Sequence, residues 1–267
     1  MERCKICSAK SAPFARALLL KRHDVAYYRC GECGFVQTQE PYWLDEAYSD
    51  AIAATDIGLP SRNIRLALLT RSLIRLCFNP GGRFLDYAGG YGLLVRLMRD
   101  AGYDFHLFDR YCRNIFAQGY AAADGDSSAY ELVTAFELLE HVHDPLQEME
   151  RLLAHSRNVF FTTELYPDSA PLPEDWWYFG LDHGQHVSFY TVNSLRKMAR
   201  KLSLNFYTNG TSMHLFTDKT LPPLVFNLAL RYPFGVLVDL FFKRESLLLS
   251  DYATRTSTTR RDHDRCQ

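Results

Sequence analysis

The sequence predicts an α/β fold, with a Rossmann-like, mostly parallel sheet covered by helices on both faces and a small metal-binding module before it. Apolar, strand-like segments alternate with amphipathic helical segments from residue 83 to about residue 165, which is typical of a parallel sheet. Two C-x-x-C pairs, Cys4–Cys7 and Cys30–Cys33, precede that alternation. The two signals occupy separate stretches, so we expect two modules.

Composition sets limits on the class of protein. The 267 residues are 47% hydrophobic and 23% charged, as in a soluble globular protein, and the formal net charge of −1 gives no bulk attraction to nucleic acid. No apolar run reaches the roughly 20 residues that span a bilayer, and the N-terminus has no signal-peptide core. We therefore expect a cytoplasmic protein whose cysteines are thiols or metal ligands.

The paired cysteines predict a zinc ribbon over residues 1–40. Each C-x-x-C turn presents two thiolates, and two turns complete a tetrahedron for a structural Zn²⁺; the alternative is four unrelated cysteines. Up to Cys33 the segment has seven Lys and Arg against three Asp and Glu, without a dense basic run. A structural role, or a wall of the substrate site, is therefore favoured over a nucleic-acid reader.

Residues 41–80 are predicted to form a helical connector, because four leucines recur at helical spacing, namely Leu66, Leu69, Leu73 and Leu76. Residues 81–218 then form the main domain. Its first strand runs into the glycine-rich stretch that starts at Asp86 and ends at Gly92, and a helix follows to Ala101. The next strand ends in Asp109. This order suits a nucleotide-type ligand, since glycines admit it to the backbone and a carboxylate binds a ribose diol. Asp109 as a helix N-cap is the alternative.

The remaining elements of this domain follow the same logic. Further strands are predicted at 130–136 and 158–163, with a helix between them that begins at Asp144-Pro145 and is capped by Asp144. Residues 166–190, rich in Pro, Trp, Tyr and His, are predicted to be an active-site loop. Thr191 caps the next helix, and two short strands, 205–207 and 213–216, close the sheet at its edge.

The C-terminal quarter of the chain is apolar without being long enough to cross a membrane. Residues 219–253 are predicted to be a cover for the domain, and a homodimer surface or a peripheral membrane contact are the alternatives. Residues 254–267 are predicted to be a disordered polar tail.

The stretch Asp86-Tyr87-Ala88-Gly89-Gly90-Tyr91-Gly92, together with Asp109 and the run Phe136 to Pro145, resembles the class I S-adenosylmethionine-dependent methyltransferases. The resemblance covers about residues 40–218. It implies eight cofactor-binding residues: Asp86, Ala88, Gly90, Gly92, Asp109, Phe136, Glu137 and His141. Asp124 or Asp126 is implied for the adenine. Ala88 departs from the family's first glycine, and its methyl narrows the turn.

A ribbon ahead of such a domain also resembles the methyltransferases that act on nucleotide-linked deoxysugars. Their acid-His motif matches Gln185-His186, which implies that His186 is catalytic and leaves the acid's position filled by Gln185. His183 and Glu164 are the further catalytic candidates. His141 is implied to be structural or to shield the cofactor. From the length of the sequence we expect no counterpart of the large C-terminal substrate domain of that group.

We therefore expect methyl transfer from S-adenosylmethionine to the oxygen or carbon of a small molecule, most simply a nucleotide-linked or glycan-associated sugar. The alternatives are an RNA methyltransferase whose ribbon binds RNA, and a non-catalytic scaffold that retains the cofactor fold. Removal of a proton from a hydroxyl or an acidic C–H requires a base, which is the reason for weighing the histidines.

Overall fold

The computed structural model describes residues 2–48, 57–123 and 129–265, with side chains as far as Thr256. Asp124 and Asp126 lie outside these residues. The chain divides into two compact units, Met1–Ile57 with Val133–Pro223 and Gly58–Leu132 with Leu224–Gln267. Each unit is described by itself below.

The first unit begins with an antiparallel sheet built on the cysteine-containing segment. Its strands are β1 (Ser11–Leu19), β2 (His23–Cys30), β3 (Val36–Thr38) and β8 (Ser188–Phe189), in the order β1-β2-β3-β8. Leu20 and Lys21, both with positive φ, form the tight turn between β1 and β2. The Leu20 N–H donates to the Leu181 carbonyl at 2.9 Å, which ties this turn to the loop 166–190.

One aromatic core joins this sheet to the loop. Its fully buried members come from the strands of the ribbon, from the short helix α1 (Leu44–Ala47) and from the loop, and they include Tyr27, Trp43, Tyr178, Phe179 and Phe189. Tyr27 meets Phe179 edge to face at 5.2 Å between ring centroids. The ribbon and the loop therefore share a hydrophobic interior. That the ribbon forms a wall of the substrate site stays a prediction.

The rest of the first unit consists of strands and helices in alternation. They are β6 (Leu132–Ala135), α4 (Pro145–Leu153), β7 (Val159–Thr162), α5 (Val192–Lys201), β9 (Asn205–Thr208) and β10 (Met213–Thr217). Both predicted caps form: Asp144 accepts from the Gln147 N–H at 3.2 Å, and Thr191 from the Ser194 N–H at 3.1 Å. Strands β6 and β7 are parallel, whereas β10 is antiparallel to both β7 and β9.

The second unit contains the glycine-rich turn. Its elements are α2 (Leu59–Cys77), β4 (Arg83–Tyr87), α3 (Leu93–Asp100), β5 (Asp104–Phe108), α6 (Pro223–Ala229), α7 (Tyr232–Phe241) and α8 (Leu248–Arg265). Strands β4 and β5 are parallel, and Gly102, with φ +84°, follows the end of α3. Of the strands outside the ribbon, β5 and β4 are neighbours in this unit, and β6-β7-β10-β9 is the order in the first unit. The predicted α/β fold is confirmed.

The C-terminal segment differs from its prediction. The polar stretch expected to be disordered continues α8 as far as Arg265. Asp251, 4% exposed, anchors this helix, because its carboxylate accepts at 2.8 Å from both Nε and Nη2 of the buried Arg99. Arg96 is a second partner of Asp251 at 3.0 Å. The ion pair fixes the start of α8 on α3, and the sequence pattern alone does not reveal this long-range partner.

No single helix in the described residues is both long and apolar enough to cross a bilayer. Helices α6 and α7 meet the length and composition criteria only when taken together, and they are bent by 83° at their break.

Candidate active site

The glycine-rich turn leaves β4 through three positions of the left-handed region, Ala88 (φ +58°), Gly90 (φ +59°) and Gly92 (φ +83°). Space is short as well, since a Cβ on Gly89 would lie 2.2 Å from Oδ2 of the buried Asp86. On Gly92 it would lie 2.9 Å from the Ala117 Cβ. The turn therefore needs small residues, and Ala88 keeps a conformation that costs an L-residue about 1 kcal/mol.

Asp109 follows β5 and faces this turn. Its Oδ2 accepts from the Gly90 N–H at 2.8 Å, and its Oδ1 accepts from the Tyr111 and Cys112 N–H groups at 2.8 and 2.7 Å. Asp109 thus caps the turn that follows it, but no helix begins there in the described residues, so the predicted helix N-cap does not form. A carboxylate has about four acceptor sites, so one remains on Oδ2 for a ligand. Its role as the ribose ligand stays a prediction.

Asp86, Ala88, Gly90, Gly92 and Asp109 belong to the second unit, and the other proposed cofactor residues to the first. There, Phe136 and Glu137 follow β6. Glu137 has φ +52°, its N–H donates to the Thr162 Oγ1 at 2.8 Å, and that hydroxyl donates back to the Glu137 Oε1 at 2.7 Å. This reciprocal pair fixes the Glu137 carboxylate at the end of the strand.

Three imidazoles of the first unit form a cluster. The ring centroids of His141 and His186 lie 4.7 Å apart, and those of His183 and His186 lie 4.8 Å apart. The His186 Nδ1 lies 2.6 Å from the Tyr178 carbonyl oxygen. Because a carbonyl only accepts, Nδ1 carries the proton and Nε2 keeps its lone pair.

The neighbours of the cluster hold the other two rings. The Tyr48 hydroxyl lies 2.9 Å from the His141 Nδ1, and the Gln185 N–H donates to the His183 Nδ1 at 3.1 Å. Gly180 allows the close approach of His183, since a Cβ there would lie 2.2 Å from its ring. Gln185, at the position where the resemblance implied an acid, instead donates from Nε2 to the Ala47 carbonyl at 2.8 Å.

Burial keeps these imidazoles neutral. Desolvation lowers the pKa of His141 to about 4 and that of His186 well below 6.5, and the neighbouring imidazoles add to both shifts. The pKa of His183 is lowered for the same main reason, although Asp182 opposes the shift. At neutral pH all three rings are therefore uncharged, and the same lowered pKa makes each a weaker base than a free imidazole.

Glu140 is the residue that sequence reasoning missed. It is fully buried, and neither carboxyl oxygen has a hydrogen-bond partner in the described part of the chain. Burial and then the Glu137 charge raise its pKa to about 8, so the carboxyl is mostly protonated at neutral pH. Glu140, His141 and His186 each place one ligand-type atom within 4.8 Å of the others. In the sequence, Glu140 was indicated only by its place in the run Phe136 to Pro145.

Glu164 follows β7, and its backbone lies beside Tyr178. Its N–H donates to the Tyr178 hydroxyl at 3.0 Å, and burial followed by the Glu137 charge raises the pKa of its carboxyl. Among the described residues no hydrogen bond joins that carboxyl to His183 or His186. Trp176, Trp177 and Tyr178 are consecutive aromatic residues of the loop. Trp176 and Tyr178 pack in the core, whereas Trp177 is 76% exposed.

The four cysteines of the ribbon converge. The Sγ atoms of Cys4 and Cys33 lie 3.5 Å apart, those of Cys7 and Cys30 3.4 Å, and those of Cys7 and Cys33 3.6 Å. All four lie within 4.8 Å of one another. Zn–S bonds of about 2.3 Å in a tetrahedron require sulfur separations near 3.8 Å. The thiol set therefore fits a zinc ion.

Comparison with protein families gives one decisive result. Residues 61–208 match the model of a methyltransferase domain. The chain belongs to this methyltransferase family. It is accordingly an S-adenosylmethionine-dependent methyltransferase, as the glycine-rich turn predicted. No curated protein matches the sequence.

Solved structures resemble the methyltransferase only distantly. TnmH is 18% identical with a TM-score of 0.47, over 67% of this chain and 62% of that one. The plantazolicin methyltransferase BpumL with SAH is 11% identical with a TM-score of 0.48, over 67% and 92%. Magnesium protoporphyrin IX methyltransferase from Synechocystis PCC 6803 is 14% identical with a TM-score of 0.45, over 65% and 92%. At these values we draw no conclusion about the substrate.

We expect Ala88→Gly to stabilise the methyltransferase by up to about 1 kcal/mol, because glycine adopts φ +58° without a Cβ clash. Thermal unfolding of the two proteins measures the difference. Ala253→Gly, at an exposed helical position of α8, is the matched control and should destabilise by about 1 kcal/mol. If Ala88→Gly and Ala253→Gly lower the free energy of unfolding by the same amount, Ala88 carries no backbone strain.

Proposed function

We propose that this enzyme methylates a hydroxyl or an acidic C–H of a small molecule, a nucleotide-linked or glycan-associated sugar, with His186 as the general base. The observation that carries the proposal is the bond from Nδ1 of His186 to the Tyr178 carbonyl. It leaves Nε2 unprotonated in a buried site. A neutral imidazole with one fixed tautomer is suited to accept a proton from a bound acceptor.

When bound, S-adenosylmethionine would supply an electrophilic methyl group and a neutral sulfide as its leaving group. As the acceptor oxygen or carbon forms its bond to the methyl carbon, its proton passes to Nε2 of His186, which becomes imidazolium. One feature of the first unit supports His186 in this role: the carbonyl of Tyr178 accepts from the Nδ1–H and so favours the imidazolium. His183 is the second candidate base, and Glu164 a candidate for binding a sugar hydroxyl.

Cofactor residues are proposed on two segments. In the second unit, Asp109 offers its remaining acceptor site to a ribose hydroxyl, while Gly90 and Gly92 leave room at the backbone and Asp86 takes the cofactor amino group, directly or through water. In the first unit, Phe136, Glu137 and His141 are the proposed contacts. Ala88 narrows the turn without closing it.

For the four cysteines we propose a structural Zn²⁺ with Cys4, Cys7, Cys30 and Cys33 as its ligands. The ion would fix the ends of β2 and β3 and take no part in the transfer. Four thiolates are typical of closed zinc sites, which have no open position for a substrate.

We expect His186→Ala to lower kcat about 100-fold or more, the usual contribution of a general base, while S-adenosylmethionine affinity stays unchanged. Methyl transfer from labelled S-adenosylmethionine to a panel of sugar nucleotides gives the rate, and calorimetry gives the affinity. In the wild type, the rate should stay level as the pH falls through 6.5, the ordinary imidazole pKa, and should fall only well below it, because burial lowers the pKa of His186.

His143→Ala is the matched control, because His143 pairs with Glu40 at 2.9 Å and should not affect the rate. Full activity of His186→Ala would remove this residue as the base. Retained cofactor binding without transfer to any acceptor would favour the scaffold alternative, and tight, salt-dependent RNA binding with transfer to RNA would favour the RNA alternative.

We expect Asp109→Ala to weaken S-adenosylmethionine binding at least tenfold, which is about 1.4 kcal/mol. Calorimetric titration of both proteins measures the change. Asp109→Asn separates the two roles of the side chain, since it keeps one acceptor oxygen for the Tyr111 and Cys112 N–H groups and loses the charge. Wild-type affinity in well-folded Asp109→Ala would exclude this residue from the cofactor site.

We expect about one zinc per chain in protein purified without chelator, and none in Cys30→Ser. The variant should also unfold at a lower temperature, because structural zinc contributes folding free energy. Elemental analysis and thermal unfolding are the measurements. Cys77→Ser, outside the cysteine cluster, is the control and should keep its zinc. A zinc content well below one per chain in the wild type would contradict the site.

A further inference from the structure

An unusually apolar surface lies on the C-terminal helices of the second unit. Helix α7 exposes Tyr232, Val236, Leu237, Leu240 and Phe241, with Leu240 at 71% and Phe241 at 79% exposure. We call these five residues the outer face of α7. Further exposed apolar side chains flank it on α6, after α7 and on α8, namely Leu224, Leu228, Phe242, Leu248, Leu249 and Tyr252. A surface of this kind usually marks an interaction site.

Helical periodicity puts the five residues on one side, and the opposite side of α7 is already used. Gly235 and Val238 are buried there, and a Cβ on Gly235 would lie 3.3 Å from the Leu68 Cγ of α2. Asp239 forms an ion pair with Arg71 of α2 at 3.1 Å. Helix α7 is therefore held against α2 by one side while its outer face meets solvent.

A cation lies at each end of the outer face. Arg231 precedes α7 and Lys243 follows it; both are exposed, and neither has an ion-pair partner among the described residues. Two nearby acids are paired: Asp239, whose side chain is 41% exposed, with Arg71, and the buried Asp251 with Arg99. Glu245, between α7 and α8, is exposed and leaves a net charge of +1 for Arg231, Lys243 and Glu245 together. An apolar stripe between two cations is complementary to an anionic lipid surface.

The length of α7 and the charges at its ends favour a bilayer over a second copy of the chain as the partner of the outer face. Ten residues of α7 extend about 15 Å, too short to span, and the 83° bend between α6 and α7 suits helices that lie in the interface plane. In a symmetric dimer, packing α7 on α7 would bring the basic ends Arg231 and Lys243 together whichever way the helices run. Like charges at both ends disfavour that pairing.

We propose that the outer face of α7 docks this methyltransferase on anionic phospholipid bilayers, with its apolar side chains in the headgroup region and Arg231 and Lys243 at the lipid phosphates. This interaction is peripheral and independent of the methyl-transfer proposal. It would hold the enzyme at a membrane surface.

The test is co-sedimentation of the full chain with vesicles of phosphatidylcholine alone and of phosphatidylcholine with phosphatidylglycerol. We expect binding to the anionic vesicles, weaker binding to the neutral ones, and a decrease as salt is raised. The double variant Leu240→Glu/Phe241→Glu should lower the partition coefficient at least tenfold. Arg231→Glu/Lys243→Glu should remove the preference for anionic vesicles.

Leu18→Glu is the matched control, since Leu18 is exposed by 53% on β1 in the other unit and should leave vesicle binding unchanged. Thermal unfolding and S-adenosylmethionine titration show that each variant is folded. Wild-type vesicle binding in Leu240→Glu/Phe241→Glu, or none by the wild type, would overturn the proposal. A wild-type dimer in analytical ultracentrifugation that this variant converts to monomer, without vesicle binding by either, would assign the face to self-association instead.

Discussion

The pairing of β3 with β8 is the constraint on which the histidine site depends. Strand β8 has two residues, and its partners Val36 and Gln37 belong to the ribbon. Two further hydrogen bonds reinforce this connection, from the Trp43 Nε1 to the Gly184 carbonyl at 2.7 Å and from the Thr191 Oγ1 to the Cys33 carbonyl at 2.6 Å. So short a strand is not stable alone. Through this sheet the cysteine-containing segment is joined to the loop that carries His183 and His186.

The burial that holds the loop in place also determines the protonation states of the ionisable side chains in the site. The aromatic core beneath β8 desolvates His186, and the same desolvation keeps Glu140 mostly protonated at neutral pH. A neutral site costs less to bury than a charged one, because an isolated ion loses its hydration. The cluster thus combines a neutral imidazole whose Nε2 keeps its lone pair with a carboxyl that can donate a hydrogen bond. In the proposed transfer, the imidazolium of His186 is the charge that this site must tolerate.

Local signals in the sequence were sufficient for the strand–helix alternation, the glycine-rich turn, the helix caps at Asp144 and Thr191, and the paired cysteines. They were insufficient where a contact joins distant segments. Nothing near Glu140 indicates that its carboxyl is buried without a partner, and nothing near Asp251 indicates Arg99, 152 positions away. Asp109 is a third case, because its bonds from backbone N–H groups and the proposed ribose contact use the same carboxylate oxygens. The cofactor and catalytic roles remain predictions because no local pattern encodes a ligand.

Helix α7 shows why hydropathy cannot decide between a cover and an interaction surface. Its composition is apolar on both sides, so periodicity does not reveal which side is inside. The structure uses the side of Gly235 and Val238 against α2 and leaves Leu240 and Phe241 in water. Each such side chain forgoes about 1.5–3 kcal/mol of transfer free energy while it stays exposed. Folding of the unit does not recover that free energy, whereas insertion into a lipid interface would, and the cations at both ends select an anionic one.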